Sequence, residues 1–384
     1  MSAGDPRALS RGDRRDYSRF GVWSAEIPPR ADLRIRERAG GVALLEVEDL
    51  HVSFRTPDGI VQAVRGLSFR VDAGQTLGIV GESGSGKSVS TQTIMGLTRG
   101  ARISGRALFE GQDLLTANRE RMQEVRGAKI GMVFQDPLSS LHPFYRVGWQ
   151  IIEMIRLHDH EVTKAQARER AVDLLRLVGI PQPDRRVSDF PHQFSGGMRQ
   201  RAMIAMAMAL NPALLIADEP TTALDVTVQA QVLQVMRNLQ ERFGTAVILI
   251  THDLGVVADV ADDVVVMYAG AVMEQADRRT TFFANHHPYT EGLLESLPAY
   301  GGERQRLRPI PGQPPSLITL PPGCPFHPRC AYVMDRCRTE VPPLAEVGAD
   351  PAHLSACWLP RDTSARDELR RKVVGQALPA PAET

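Results

Sequence analysis

One loop, Gly81-Glu-Ser-Gly-Ser-Gly-Lys87-Ser88, constrains the fold of this chain more than any other feature. It fits the pattern G-x-x-x-x-G-K-[ST] and lies between an apolar run, Leu77 to Val80, and a stretch of helical character, Ser88 to Leu97. Glycines in such a loop let backbone N–H groups turn inward around a phosphate, and the N-terminus of the following helix adds partial positive charge. The sequence therefore predicts a strand, a phosphate-binding loop and a helix, in that order.

Two side chains of the loop have predicted roles: Lys87 bridges β- and γ-phosphates, and Ser88 ligates Mg²⁺. The alternative is a glycine-rich turn that holds no ligand. A dinucleotide fingerprint is absent, because Val89 stands where its third glycine would be. The candidate nucleotide contacts of this segment are Gly81, Glu82, Ser83, Gly84, Ser85, Gly86, Lys87, Ser88 and Val89.

Two carboxylates, Asp218 and Glu219, end a second apolar run, Leu214 to Ala217. Acids at the end of a buried strand are costly unless they meet a cation. We expect Asp218 to hold Mg²⁺ and Glu219 to orient and polarise the water that attacks the γ-phosphate. The alternative is a strand end that is simply capped by acids.

Apolar runs with β-type composition alternate with helical stretches from Leu44 to about Ala284, which indicates an α/β fold with a mostly parallel sheet. Helical periodicity dominates between about Gln135 and Met208, as in 147–157 and 165–178, and predicts an all-helical insert. Residues 1–42 hold nine arginines and six acids and are expected to form a disordered tail. Residues 361–384 are expected to form a second flexible tail.

Composition excludes some functions. The 45 Lys and Arg balance the 45 Asp and Glu, so no whole-molecule field favours nucleic acid as a partner. The longest apolar run, Ala202 to Leu210, is half the length of a spanning helix, and the N-terminus lacks the pattern of a secretory signal. A cytoplasmic location is expected.

The segment Phe194-Ser-Gly-Gly-Met-Arg-Gln200 resembles the signature of ATP-binding-cassette (ABC) ATPases. Other motifs of that family stand at compatible spacing, and the resemblance covers about residues 44–284. It implies a P-loop ABC nucleotide-binding domain over 43–285, with a RecA-like core, an antiparallel β subdomain and a helical subdomain at about 136–208. The cofactors that it implies are ATP and Mg²⁺.

The resemblance also implies roles for residues outside the loop. An aromatic at Phe54 would stack on adenine, although its alternation with Val52 equally fits a core position. Catalysis would use Glu219, His252, Gln135 and Lys87, and Mg²⁺ would be held by Ser88, Gln135 and Asp218. The signature would cover ATP on an opposing cassette, with trans contacts from Ser195, Gly196, Gly197, Met198 and Asp225.

The proline-rich region from 286 to 360 resembles the C-terminal extension of oligopeptide and dipeptide importer ATPases. The resemblance rests on His287-Pro-Tyr-Thr290, Pro309-Ile-Pro-Gly312 and Gly323-Cys-Pro-Phe-His-Pro-Arg-Cys330. Fourteen of the 27 prolines fall between 288 and 360, so long helices and central strands are not expected there.

All four cysteines lie in this region, at Cys324, Cys330, Cys337 and Cys357, separated by five, six and nineteen residues. In a reducing compartment such clustering favours a metal site over disulfides. These gaps fit structural zinc poorly, whereas four thiolates can hold an iron-sulfur cluster, and some importer ATPases of this type carry a 4Fe-4S centre. We expect a 4Fe-4S cluster; zinc and unliganded cysteines are the alternatives.

Together the two resemblances imply the ATP-hydrolysing subunit of a peptide importer at the cytoplasmic face of the membrane. Implied partners are two transmembrane permease subunits, a second and non-identical ABC ATPase, and an extracytoplasmic solute-binding protein. Two alternatives stay open: an importer for nickel or another small solute, and a soluble ABC ATPase whose cysteine site senses redox state.

Overall fold

The computed structural model describes residues 43–222, 224–297 and 309–360. The two predicted tails, 1–42 and 361–384, lie outside the described residues.

An antiparallel sheet begins the described chain. Its long central strand is buried at alternating positions, as expected for a sheet with one covered face. The alternation shifts between Val47 and Leu50, where the pairing register changes and Asp49 has a φ of 47°. A bulge there keeps apolar residues on both sides of it facing the core. In spatial order the strands are β2 (Gly59–Val71), β1 (Leu45–Thr56), β4 (Ala101–Phe109) and β5 (Gln112–Asp113).

A larger mixed sheet forms the centre of the fold and confirms the predicted mostly parallel sheet. Its middle strands are apolar runs buried along their whole length, which is typical of parallel strands covered on both faces. Five neighbouring strands are parallel, so their carboxyl ends meet at one edge. In spatial order, the described strands are β11 (Ala345–Glu346), β12 (Leu354–Ser355), β10 (Ala271–Asp277), β9 (Asp263–Tyr268), β3 (Thr76–Val80), β8 (Ala246–Thr251), β7 (Leu214–Asp218) and β6 (Ile130–Val133).

Helix α1 (Lys87–Ile94) follows the glycine loop but ends earlier than the predicted Leu97. Gly96 has a φ of +62°, a left-handed conformation that ends an α-helix. The other helices outside the β6–β7 connection are α2 (Arg119–Val125), α8 (Val226–Phe243), α9 (Leu254–Val260), α10 (Arg278–Phe283), α11 (Pro288–Glu295) and α12 (Asp335–Thr339).

The regular secondary structure of the connection from β6 to β7 consists of helices, which form their own layer. Thr163 and Gln166 form a capping box that begins its longest helix. Gly148 permits close packing in this layer, because a Cβ there would lie 2.2 Å from Cγ2 of Val187. Its helices are α3 (Pro137–Ser140), α4 (Val147–His158), α5 (Lys164–Leu177), α6 (Pro183–Arg186) and α7 (Gly196–Ala207).

The C-terminal segment 309–360 packs onto the edge of the large sheet through β12, which pairs with β10. Its elements are short, as the proline content predicts. Glu274 on β10 is fully buried there, and its carboxylate accepts a hydrogen bond from Nε2 of His353 at 2.7 Å. Among the helices of the described ranges, none has the length and apolar character to cross a membrane.

Candidate nucleotide site

The predicted phosphate-binding residues gather at the edge where the parallel strands end. β3 leads into the glycine loop, and β7 ends at Asp218. Gln135 and His252 follow β6 and β8. The sheet order places these four strand ends side by side, so residues far apart in sequence meet.

At two positions the loop has a backbone conformation that only glycine accommodates. Gly81 has a φ of +152° and Gly86 a φ of +98°. A Cβ at Gly81 would lie 2.1 Å from the Met267 carbonyl oxygen, and one at Gly86 would lie 2.2 Å from the Ala63 carbonyl oxygen. At Gly84 a Cβ would meet nothing within 4 Å, so the middle of the loop has open space beside it. This shape fits a loop that wraps a phosphate.

Lys87 is buried within the loop, and its ammonium donates to the carbonyl oxygens of Gly81 at 2.7 Å and Glu82 at 3.0 Å. Burial lowers the pKa of Lys87, and the carboxylates of Glu219 and Asp218 oppose that shift. The Ser85 hydroxyl lies 3.4 Å from the same ammonium, so the hydrogen-bond partners of this buried cation are neutral, which suits it to meet an anionic phosphate.

Ser88 and Asp218 are in direct contact: the hydroxyl donates to Oδ1 of Asp218 at 2.7 Å. Burial raises the pKa of Asp218, and the hydrogen bond from Ser88 partly offsets the shift. A hydroxyl and a buried carboxylate at one point are oxygen ligands of the type that Mg²⁺ prefers. The residues present therefore fit a nucleoside triphosphate with its magnesium ion.

Glu219 is the centre of a second group. Its Oε2 accepts hydrogen bonds from Nε2 of Gln135 at 3.1 Å and from the hydroxyl of Thr222 at 2.8 Å, and it lies 3.4 Å from Nδ1 of His252. The backbone of Glu219 has a φ of +48°, an uncommon conformation for a residue other than glycine. Strain of this kind concentrates at functional sites. Gln135 thus contacts Glu219, whereas its predicted contact with Mg²⁺ stays a prediction.

Ser195 of the signature and Asp225, the other predicted trans contact, lie at helix N-termini. Ser195 caps α7 by accepting from the Met198 N–H at 3.3 Å, and Asp225 caps α8 by accepting from the Val228 N–H at 3.0 Å. Ser195 and Asp225 are exposed, whereas Gly197 is buried against Val228. The hydrogen bonds described for these two side chains stay at the start of the helix that each residue caps.

Phe54 is partly buried on β1 and packs against the core that the two sheets share. This contact fits the core alternative, and adenine stacking stays a prediction.

The four cysteines line one pocket together with Phe326 and with His287, which lies outside the cysteine segment. They form no disulfide. Burial raises the pKa of Cys324 to about 11 and that of Cys330 to about 12. Across the described ranges, no group of three or more His, Cys, Asp or Glu side chains is arranged to hold a metal ion. The predicted metal site at the cysteines stays a prediction.

Comparison with known proteins agrees with this geometry. Residues 64–222 match the ABC transporter family, and residues 273–337 match the oligopeptide/dipeptide transporter C-terminal region. The oligopeptide transport ATP-binding protein OppD of Bacillus subtilis is 53% identical over 321 residues, which cover 82% of this chain and 88% of that protein. OppD of Escherichia coli is 50% identical, covering 83% of this chain and 94% of that protein. The chain belongs to the family of oligopeptide and dipeptide ABC transporter ATP-binding proteins.

A solved structure supports the fold of this ABC ATPase. The ATP-binding cassette MJ0796, in a dimeric post-hydrolysis state bound to ADP and Pi, superimposes with a TM-score of 0.56 at 25% identity. The match covers 61% of this chain and 99% of MJ0796. The predicted P-loop ABC nucleotide-binding fold is confirmed. ATP and Mg²⁺ are the expected ligands of such an ATPase.

Sequence reasoning missed several contacts of the site. Arg329 and Tyr289, both in the C-terminal region, contact Glu82 of the loop, and Thr222 contacts Glu219. Thr222 could have been suspected, because it lies three residues after Glu219. No sequence signal connects Arg329 with Glu82, which lies 247 positions earlier.

Proposed function

We propose that this chain hydrolyses ATP at the strand edge and powers peptide uptake through membrane partners. The observation that carries the proposal is the meeting of Ser88, Asp218 and Glu219 beside the buried Lys87. When bound, Mg²⁺ neutralises developing charge on the phosphates. Ser88 and Asp218 would hold the ion, and Lys87 would bind the β- and γ-phosphate oxygens. Glu219 would accept a proton from the attacking water, while Gln135 and His252 would orient Glu219.

Completion of the site by a second cassette is the next part of the proposal. Ser195 and Asp225 are exposed, and their described hydrogen bonds satisfy only their own helices. MJ0796, a related cassette, is dimeric in its solved structure. We infer that Ser195 to Met198 of the signature, together with Asp225, cover ATP held by a partner ATPase. A non-identical partner is the form favoured by the family resemblance.

Exposed apolar side chains that follow Gln135 in the sequence support docking to a permease. Phe144 is 82% and Leu138 61% exposed, and both lie in the helical layer directly after Gln135. Tyr145, in the same segment, stacks on Trp149 with ring centroids 4.2 Å apart. An exposed apolar cluster of this kind marks an interaction surface. Its proposed occupant is a short cytoplasmic helix of a permease subunit, which would place the chain at the cytoplasmic face of the membrane.

Peptides are the proposed cargo, because the similar proteins named above are oligopeptide transport ATP-binding proteins. The solute would be delivered by an extracytoplasmic binding protein and would not touch this chain. The domains proposed are the ATPase domain 43–285, its helical subdomain at about 136–208 and the C-terminal region 286–360.

A 4Fe-4S cluster in the cysteine pocket is the remaining proposal. Four thiols line one pocket, and a cluster needs them farther apart than a single zinc ion does. Burial raises the pKa of these thiols, whereas backbone N–H groups that donate to three of the sulfurs, as in the bond from Leu359 to Cys357 at 3.5 Å, partly oppose that shift. Such donors are typical of cluster sites. When bound, the cluster would crosslink a region that has little core of its own.

Variants of Glu219 and Lys87 test the ATPase proposal. Reconstituted with its permeases and partner ATPase, Glu219→Gln should lose at least about a hundredfold in turnover while retaining ATP binding. Lys87→Ala should bind ATP weakly. A Glu219→Gln protein that hydrolyses ATP at the parent rate would refute the assignment.

Anaerobic purification tests the cluster separately. The expected product is brown, absorbs broadly near 400 nm and contains about four irons per chain. Cys330→Ser should lower the iron content. A colourless protein with one zinc ion would contradict the cluster.

A further inference from the structure

The phosphate loop is held from outside the ATPase domain by a fork-shaped ion pair. The Arg329 guanidinium donates to both carboxylate oxygens of Glu82, from Nη1 at 2.6 Å and from Nη2 at 2.9 Å. Two parallel bonds fix the direction of both side chains as well as their distance. Arg329 belongs to the C-terminal region, and Glu82 is the second residue of the glycine loop.

Arg329 is itself rigidly placed. Its side chain is 5% exposed, its Nε donates to the Pro311 carbonyl oxygen at 2.9 Å, and its guanidinium lies 5.7 Å from the ring centre of Tyr268. Glu82 is the anionic partner that this buried cation meets. Removing one member of a buried pair leaves an uncompensated charge, so the pair is maintained strongly once the C-terminal region has folded.

A second bond reaches the same loop residue. The backbone N–H of Glu82 donates to the hydroxyl of Tyr289 at 2.9 Å. Tyr289 is fully buried and packs with Tyr268 and Phe326, with ring centroids 4.7 Å and 5.3 Å away. Residues of the C-terminal region thus hold Glu82 at both its main chain and its side chain.

The elements that hold Glu82 also form the wall of the cysteine pocket. Phe326 lines that pocket, and Arg329 directly precedes Cys330 in a 3₁₀ turn. The turn is closed by hydrogen bonds from the Arg329 N–H to the Phe326 carbonyl at 3.0 Å and from the Cys330 N–H to the His327 carbonyl at 3.3 Å. A displacement of Cys330 therefore displaces Arg329.

On the opposite side, the position of Glu82 affects the nucleotide site. Its carbonyl oxygen accepts a hydrogen bond from the ammonium of Lys87 at 3.0 Å. The peptide that follows Glu82 leads into the open middle of the loop at Gly84. Tilting Glu82 would move both the loop backbone and a contact of the lysine.

We propose that Arg329 is a positioning residue for the phosphate loop, and that the Arg329–Glu82 pair transmits the folded state of the four-cysteine pocket to the ATP site. ATP affinity then depends on the cysteine pocket, although no cysteine is among the predicted nucleotide contacts. The inference rests on the proposed function of the glycine loop in ATP binding.

Four variants of the full-length chain test the coupling by titration with a fluorescent ATP analogue. Arg329→Gln is expected to weaken binding about tenfold, and Cys330→Ser about fivefold. The double variant should bind no more weakly than Arg329→Gln alone, because the pocket acts through that residue. Arg338→Gln is the matched control: Arg338 is exposed in the same region, and its replacement should leave affinity unchanged.

Hydrogen exchange of the loop supplies a readout that needs no nucleotide. Amides of residues 81–86 should exchange faster in Arg329→Gln than in the parent, and Arg338→Gln should not differ from the parent. Arg329→Lys keeps the charge but loses the two parallel hydrogen bonds to Glu82. Its loop hydrogen exchange and its ATP affinity should therefore lie between those of the parent and Arg329→Gln. If Arg329→Gln fails to fold, Arg329→Lys still provides the test, because it keeps a buried cation at this position.

Two results would overturn the inference. One is an Arg329→Gln or Arg329→Lys protein with parental loop exchange and parental ATP affinity. The other is a Cys330→Ser effect of equal size in the parent and in the Arg329→Gln background. The proposed nucleotide site has a separate control: if Lys87→Ala binds the analogue as tightly as the parent, that site is wrong, whatever Arg329 does.

Discussion

His287 provides a pH dependence of stability that can be worked out from the structure. It is 1% exposed and is the N-cap of α11, where its Nδ1 accepts a hydrogen bond from the Tyr289 N–H at 3.0 Å. Burial lowers its pKa from the ordinary 6.5 to about 4, against the opposing effect of the Glu274 carboxylate. The folded protein therefore keeps this ring neutral at a pH where the unfolded chain protonates it.

The direction in which stability changes with pH follows from proton binding. Between pH 6.5 and about 4 the unfolded state binds one more proton at His287 than the folded state. The contribution of His287 is thus fully present above pH 6.5 and is lost as the pH falls to about 4. At about 1.4 kcal/mol per pH unit, the loss is roughly 2 kcal/mol at pH 5.0 and about 3 kcal/mol over the whole window.

The change that tests this is His287→Asn, since asparagine accepts the same capping hydrogen bond and does not titrate. The free energy of unfolding is measured by urea titration with circular dichroism at several values between pH 7.5 and 5.0. The variant should lose about 2 kcal/mol less than the parent over that range. The matched control is His51→Asn, which replaces an exposed histidine on β1.

If His287→Asn loses stability with falling pH as steeply as the parent, the reasoning is refuted. The same holds if His51→Asn flattens the profile equally, because burial would then not be the cause.

Three further predictions follow. Lys87→Ala should weaken ATP binding at least about tenfold in a calorimetric titration, because no other buried cation of the loop can meet the phosphates; parental affinity would contradict it. Glu219→Gln should accumulate as an ATP-bound dimer with its partner ATPase, visible by size-exclusion chromatography with ATP and Mg²⁺; a protein that stays monomeric under these conditions would argue against a role for Glu219 in reopening. Gly148→Ala should lower the unfolding free energy by about 1–3 kcal/mol, because its Cβ would meet Val187 at 2.2 Å; Gly196→Ala, with nothing within 4 Å, should not lower it.

The local parts of the nucleotide site could be predicted from the sequence. The strand before Gly81, the loop and the helix after it are set by neighbouring residues, and so is the pair Asp218 and Glu219 at the end of β7. These features depend on backbone conformation and hydrophobic pattern within a few positions, which the sequence records directly. The predicted end of α1 was wrong by three residues, because Gly96 ends the helix although the apolar pattern continues to Leu97.

Which strand ends meet, and which distant residues contact them, was decided by the tertiary structure. The contact of Glu82 with Arg329 joins positions 247 residues apart, and the burial of His287 depends on β10 and the C-terminal segment packing over it. Neither has a local signature, because an ion pair or a desolvated ring arises from atoms that approach only when the chain has folded. Sequence thus determined the chemistry available to this protein, and packing determined how the cysteine region is joined to that chemistry.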